Sequence, residues 1–298
     1  MQISPGFAPK SVVTSLGSMA YVEAKKDFWP SLTAEASPPS DPLVFIHGFG
    51  GGSSSYEWSK VYPAFATRYR VLAPDLLGWG RSDHPARSYR LEDYLQTLAE
   101  FLEKSCEGPA TVVASSLTAA MMVRVANEHP HLVKSMILVA PTGLKDFGEN
   151  SGQELFRQIL QVPLLDKALY WGAIATSDSI RNFLQQRQFA NPDLISEEMV
   201  SAYLESAKQP NAEYAALSFV KGDLSFDLAV EMPKLTVPTF IVWGDKAQFT
   251  TVKTGKKLAK LSPEAVRIFE VLPATGLTPQ LEYPAVMIGL IRKYLSTS

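Results

Sequence analysis

The 298-residue chain predicts an α/β fold: a mostly parallel central sheet flanked by helices. Three observations predict it. Short, continuous apolar runs recur along the chain and stop at Gly, Pro or small polar residues, as strands buried on both faces do. Between them lie stretches with apolar residues at helical spacing, which implies right-handed crossovers between parallel strands. The alternation fails over residues 142–233, where only helical patterns remain, so an all-helical insertion is expected after the sixth strand.

Taken in order, residues 11–16 and 19–23 read as two short strands on either side of Gly17-Ser18, and residues 30–42 as an exposed loop rich in Ser, Ala and Pro. The apolar runs follow at 43–46, 70–73, 111–114, 135–140, 239–243 and 266–271. Helices are expected at 91–104, where Leu91, Tyr94, Leu95, Leu98, Phe101 and Leu102 make one stripe, at 117–128, and at 285–294. Within the insertion the helical patterns are 153–160, 164–170, 179–187, 196–207 and 212–220. The domain reading is a core of residues 1–141 and 234–298 with a helical lid over 142–233, placed to cover the crevice at one end of the sheet.

Composition narrows the function classes. Hydrophobic residues at 46% and charged residues at 19% are an ordinary globular balance. A formal charge of −2 provides no electrostatic case for nucleic acid or an anionic membrane. No apolar run is long enough for a membrane span, and the N-terminus has no basic region followed by an apolar one, so a cytoplasmic protein is expected. Cys106 is the single cysteine, which excludes an internal disulfide and a cysteine zinc site. No dinucleotide fingerprint, phosphate loop or metal cluster appears, so no cofactor and no metal are expected, and the partner expected is a small molecule. Oligomeric state is not read.

Five motifs in order carry a family likeness: His47-Gly48-Phe49-Gly50-Gly51; the run from Pro74-Asp75 through Gly78-Trp79-Gly80 to Asp83; Ala114-Ser115-Ser116-Leu117-Thr118; Val242-Trp243-Gly244-Asp245; and Thr278-Pro279-Gln280-Leu281-Glu282-Tyr283-Pro284. Together they resemble the α/β-hydrolase superfamily, in its lidded branch of esterases, epoxide hydrolases and C–C bond hydrolases. The resemblance covers nearly the whole chain outside the insertion.

It implies a nucleophile elbow at Ser116, where a strained strand-to-helix turn exposes the hydroxyl, with oxyanion donors at the N–H groups of Phe49 and Leu117. The alternative for Ser115 and Ser116 is simple helix capping. The flanking positions that favour glycine in the family hold Ala114 and Thr118, and the β-branched Thr118 is expected to crowd the turn. The position implied for the triad acid holds Ala247, and that implied for the histidine holds Leu277.

All four histidines, His47, His84, His129 and His131, precede the insertion. His47 is read as shaping the oxyanion loop. His84 and His47 are the surrogates weighed for the base and Asp146 for the acid, although Asp146 reads first as a solvated loop carboxylate and Asp75 as a turn stabiliser. A serine hydroxyl without a base is a poor nucleophile. The expectation is therefore a protein with a degenerate triad that binds a small, mostly apolar carbonyl or acyl ligand or performs non-hydrolytic chemistry. The alternatives are an esterase with a relocated base and a non-catalytic interaction scaffold. An aspartate-nucleophile mechanism is disfavoured by Ser116.

Overall fold

The computed structural model describes residues 3–29, 40–149 and 170–297. Its strands are β1 (Phe7–Thr14), β2 (Gly17–Ala24), β3 (Pro42–Ile46), β4 (Arg70–Pro74), β5 (Ala110–Ser115), β6 (Val133–Val139), β7 (Thr239–Gly244) and β8 (Val266–Leu272). They form one sheet in the order β1-β2-β4-β3-β5-β6-β7-β8. The hairpin β1-β2 joins antiparallel to β4, and every other pairing is parallel. β3 and β5 lie in the interior of the sheet and are buried along their full length. This explains their unbroken apolar runs, because neither face meets water.

The helices that frame the sheet are α1 (Leu91–Ser105), α2 (Ser116–Glu128), α3 (Ser177–Phe183), α4 (Glu197–Ala207), α5 (Ala212–Lys221), α6 (Val252–Lys260) and α7 (Pro284–Leu295). One apolar layer gathers the buried sides of α1 and α2 with Tyr203, Ala215 and Phe219 from the inserted helices. The opposite layer holds Trp58, Phe65, Trp243, Phe249 and Leu277 with Met287, Ile291 and Tyr294 of α7. Buried aliphatic and aromatic side chains each contribute roughly 1.5–3 kcal/mol, so these layers, more than local propensity, hold the elements in place.

The segment between β6 and β7 contains no strand among the described residues, only helices, helical turns and a single bridge from Leu144 to Phe226. The helices expected at 153–160 and 164–170 lie outside the described residues, apart from Tyr170, as does most of the loop expected at 30–42. Two expectations need correction. The β1-β2 turn falls at Ser15-Leu16, and Gly17 is already the first residue of β2, paired with Thr14. The stretch expected as one helix over 179–187 begins at Ser177, where Thr176 accepts a capping bond from Ser179 N–H, and widens into a π-helical turn at Leu184–Gln188.

Candidate functional site

β5 ends with Ser115 in an extended conformation, and α2 starts at Ser116 with φ at 56°. A non-glycine residue in this left-handed region is uncommon and marks a turn forced by its surroundings. Here the surroundings are the buried parallel strand on one side and the central helix on the other, with no room for a longer connection. The chain therefore reverses within one residue, which leaves Ser116 only partly buried at the sheet's C-terminal edge. The N–H of Leu117 belongs to the first turn of α2, where backbone donors have no intrahelical acceptor.

The loop after β3 comes up against this turn. A methyl group placed on Gly48 would stand 3.1 Å from Ser115 Oγ, 3.5 Å from Ser116 Cβ and 3.7 Å from Glu57 Oε2. The first of these contacts is tight, so a side chain at Gly48 would press on the Ser115 hydroxyl, while the other two are ordinary contacts. Thr118 does not merely crowd the turn, as the sequence suggests. Its Oγ1 donates to the carbonyl of His47 at 2.7 Å and ties α2 to the loop. Next in the chain, Phe49 is buried with its ring edge-on to Trp79 and Tyr94 and stacked on Phe219. No acceptor for the Phe49 N–H is present among the described residues.

His47 is fully buried and its ring is committed to backbone. Its Nε2 accepts from Leu76 N–H at 3.0 Å, which leaves the proton on Nδ1 to be donated to the Gly48 carbonyl at 2.7 Å. Neither nitrogen has a lone pair facing Ser116. His84 is half-buried in the loop beside the insertion, with its carbonyl bonded to Asn211. Its Nε2 is buried without a partner, and burial lowers its pKa. His129 caps the far end of α2, and His131 lies in the short turn leading into β6, both at the opposite edge of the sheet. No hydrogen bond joins Ser116 Oγ to a histidine among the described residues.

Ala247 and Leu277 occupy adjoining loops after β7 and β8. Lys246 N–H donates to Thr275 O at 2.9 Å, and Thr275 N–H donates to the Asp245 carboxylate at 3.3 Å. Leu277 is 5% exposed within the apolar layer that holds Trp243 and Phe249, and Ala247 and Phe183 pack against that layer. Leu277 N–H donates to Gln188 O at 2.7 Å, so the inserted segment pins this loop.

The expectation of a solvated Asp146 is incorrect. The residue is 4% exposed, and its carboxylate accepts from Thr142 Oγ1 at 2.7 Å, Gly143 N–H at 3.1 Å and Leu228 N–H at 3.0 Å. It staples the loop after β6 to the exit of the insertion. Burial raises its pKa, and these bonds only partly oppose the rise. Asp75 matches its expected role, fully buried and accepting from Ser55 N–H and Arg81 N–H, with the Arg81 guanidinium at 3.2 Å.

Sequence reasoning assigned no loop-binding role to Glu57, Tyr203, Gln188 and Glu282, four polar residues that bind the loops together. Glu57, 1% exposed, accepts from Gly48 N–H at 2.9 Å and from the Tyr203 hydroxyl at 3.1 Å. Tyr203 reaches both Glu57 and the Gln188 side chain, and burial, then the Glu57 charge, holds its pKa well above the ordinary value. Glu282 accepts from Gly276 N–H at 2.7 Å and Ala190 N–H at 3.0 Å, and burial raises its pKa. One signal was available. Glu57 is the lone charged residue in a small and aromatic run from Ser53 to Trp58.

Comparison with known proteins bears on the family and the fold. The family model described as the alpha/beta hydrolase fold matches residues 41–281. The chain is 29% identical over 265 residues to a dihydrolipoyllysine-residue acetyltransferase component of an acetoin cleaving system from Pseudomonas putida; the match takes in 85% of this chain and spans 64% of that relative's length. It is 25% identical over 267 residues to a 2-hydroxy-6-oxo-6-(2'-aminophenyl)hexa-2,4-dienoic acid hydrolase from Metapseudomonas resinovorans, covering 86% of this chain and 84% of the other. A solved serine hydrolase involved in carbazole degradation superposes with a TM-score of 0.76 at 20% identity, covering 98% of this chain and all of that one, a likeness of fold.

Proposed function

The chain belongs to the α/β-hydrolase family, and from that premise we propose that it is a ligand-binding member whose triad is degenerate. Ser116 is the elbow serine, and the N–H groups of Phe49 and Leu117 are the oxyanion donors. The observation that carries the reading is the apolar layer at Leu277 and Ala247, where the family's base and acid would stand. Residues 142–233 form a lid over the core of residues 1–141 and 234–298. The ligand is a small, largely apolar molecule whose carbonyl or acyl oxygen seats at the two N–H groups.

Removal of triad members from a serine hydrolase leaves only about 10³–10⁴-fold acceleration over water, from the oxyanion hole and binding. A fluorophosphonate should therefore fail to label Ser116. Rapid stoichiometric labelling at Ser116 would reverse the reading. It would favour the second one, an acyl hydrolase with a relocated base, for which the unpartnered Nε2 of His84 is the specific support. That hydrolase would lose its p-nitrophenyl ester activity in Ser116→Ala.

A further inference from the structure

Glu57 is a buried acid beside the proposed oxyanion donors. It stands on the turn Ser55–Trp58, against which the turn Pro279–Glu282 packs. Both of its carboxylate oxygens act as acceptors, one from Gly48 N–H and one from the Tyr203 hydroxyl. Gly48 N–H can only donate, and the Tyr203 hydroxyl is placed to donate to the other oxygen. Another buried acid in this region, Asp75, has the Arg81 guanidinium at 3.2 Å. Glu57 forms no ion pair among the described residues.

We infer that Glu57 is a charge filter: the group seated at the Phe49 and Leu117 N–H donors is a neutral carbonyl, and a carboxylate is rejected there. This rests on the ligand-binding reading above and narrows its ligand class. It concerns the seated group alone, so an acidic group elsewhere on the ligand is unaffected.

Ser116 Cβ and Glu57 Oε2 lie 3.5 and 3.7 Å from one point on the Gly48 loop, so at most about 7 Å separates them. At an effective dielectric of about 20, a second negative charge about 7 Å away is disfavoured roughly 50-fold. The N-terminus of α2 acts in the other direction, but such ends favour an anion only about 2- to 5-fold in ordinary settings. The charge of Glu57 therefore dominates, with a net preference for the neutral group of at least about 10-fold. No such preference would exist if the Gly48 N–H were held by a neutral acceptor.

The test uses matched pairs of phenylalkanoic acids and their primary amides, with chains of two to six methylenes, titrated against the full chain at pH 8 by calorimetry and ligand-observed NMR. Amide and acid share shape and differ in charge. The expected result is that the amide binds at least about 10-fold more tightly, and that Glu57→Gln closes the gap. In that variant the side-chain oxygen still accepts from Gly48 N–H, and the amide donates to the Tyr203 hydroxyl, so the fold is kept. Should Glu57→Gln fail to fold, Tyr203→Phe retains the charge and must retain the gap. An acid that binds the native chain as tightly as its amide overturns the charge filter but leaves the ligand-binding reading in place. Failure of every pair to bind overturns the ligand-binding reading, and the filter with it.

Discussion

Writing a base and an acid into the chain tests the two positions proposed as vacated. In Ala247→Asp with Leu277→His, the backbone is already fixed at both points: Leu277 N–H is held by Gln188 O at 2.7 Å, and the two loops are joined through Lys246 N–H and Thr275 O at 2.9 Å. The new side chains would start from set positions. The cost follows from burial. Leu277 is 5% exposed, so replacing it by His sacrifices about 2–3 kcal/mol of apolar burial. A carboxylate at the half-buried Ala247 adds about 1 kcal/mol. For a chain of this size each kcal/mol lowers Tm by roughly 2–4 °C, so the double variant should melt about 6–15 °C lower and remain folded. A positioned general base contributes about 10²–10⁴-fold. Hydrolysis of p-nitrophenyl butyrate, followed as kcat/KM, should therefore rise at least about 100-fold over the parent. It should increase with pH through about 6.5, the ordinary imidazole value, and disappear on adding Ser116→Ala. A folded double variant no faster than the parent would refute the assignment of Ala247 and Leu277 to the vacated positions.

Two further outcomes follow from the same geometry. Thr118→Val keeps the shape but leaves the buried His47 carbonyl without its 2.7 Å donor; urea denaturation should show a loss of about 1–3 kcal/mol. For Asp146 the folded pKa is raised above its unfolded value by burial, so its charged form weighs against the fold at neutral pH. That penalty is relieved as pH falls through the folded pKa toward the unfolded one near 3.9. Measured by urea midpoints from pH 7 to 4, the native chain should therefore gain stability relative to Asp146→Asn as pH falls; a constant difference would show that burial does not shift this group.

What was legible in the sequence was what is decided locally. β3, β5, β6 and β7 appeared as apolar runs because both faces of the interior sheet are covered, and α4 appeared because Met199, Val200, Tyr203, Ser206 and Ala207 make one buried stripe. The errors come from contacts across long sequence separations. Asp146 read as solvated because nothing near it announces that Leu228 N–H, 82 residues on, closes over it. Glu57 and Tyr203 are 146 residues apart, and neither has meaning alone. α6 was overlooked because Gly255 interrupts its pattern. There a methyl group would stand 2.5 Å from the Trp243 ring, so the packing requires the residue that obscures the helix. Thr118 looked like damage to a motif until its partner 71 residues away was visible.

The strain at Ser116 provides the last test, because it distinguishes a working turn from a relic. With φ at 56°, the residue occupies a region that costs an L-amino acid about 1–2 kcal/mol. Glycine escapes that cost but brings about 0.5–1 kcal/mol of additional unfolded-chain entropy. At an ordinary helical position alanine exceeds glycine by about 1 kcal/mol. At Ser116 the order should invert, with Ser116→Gly more stable than Ser116→Ala by about 0.5–1 kcal/mol in urea denaturation. A more stable alanine variant would mean that the turn relaxes to ordinary helix when the hydroxyl is removed, and that the Leu117 N–H is not held toward a ligand by the backbone. The inverted order would mean that Gly48, Thr118 and the buried strand impose the turn whatever side chain it carries. The proposed oxyanion donors are then preorganised whatever side chain position 116 carries, which a ligand-binding use of this site requires.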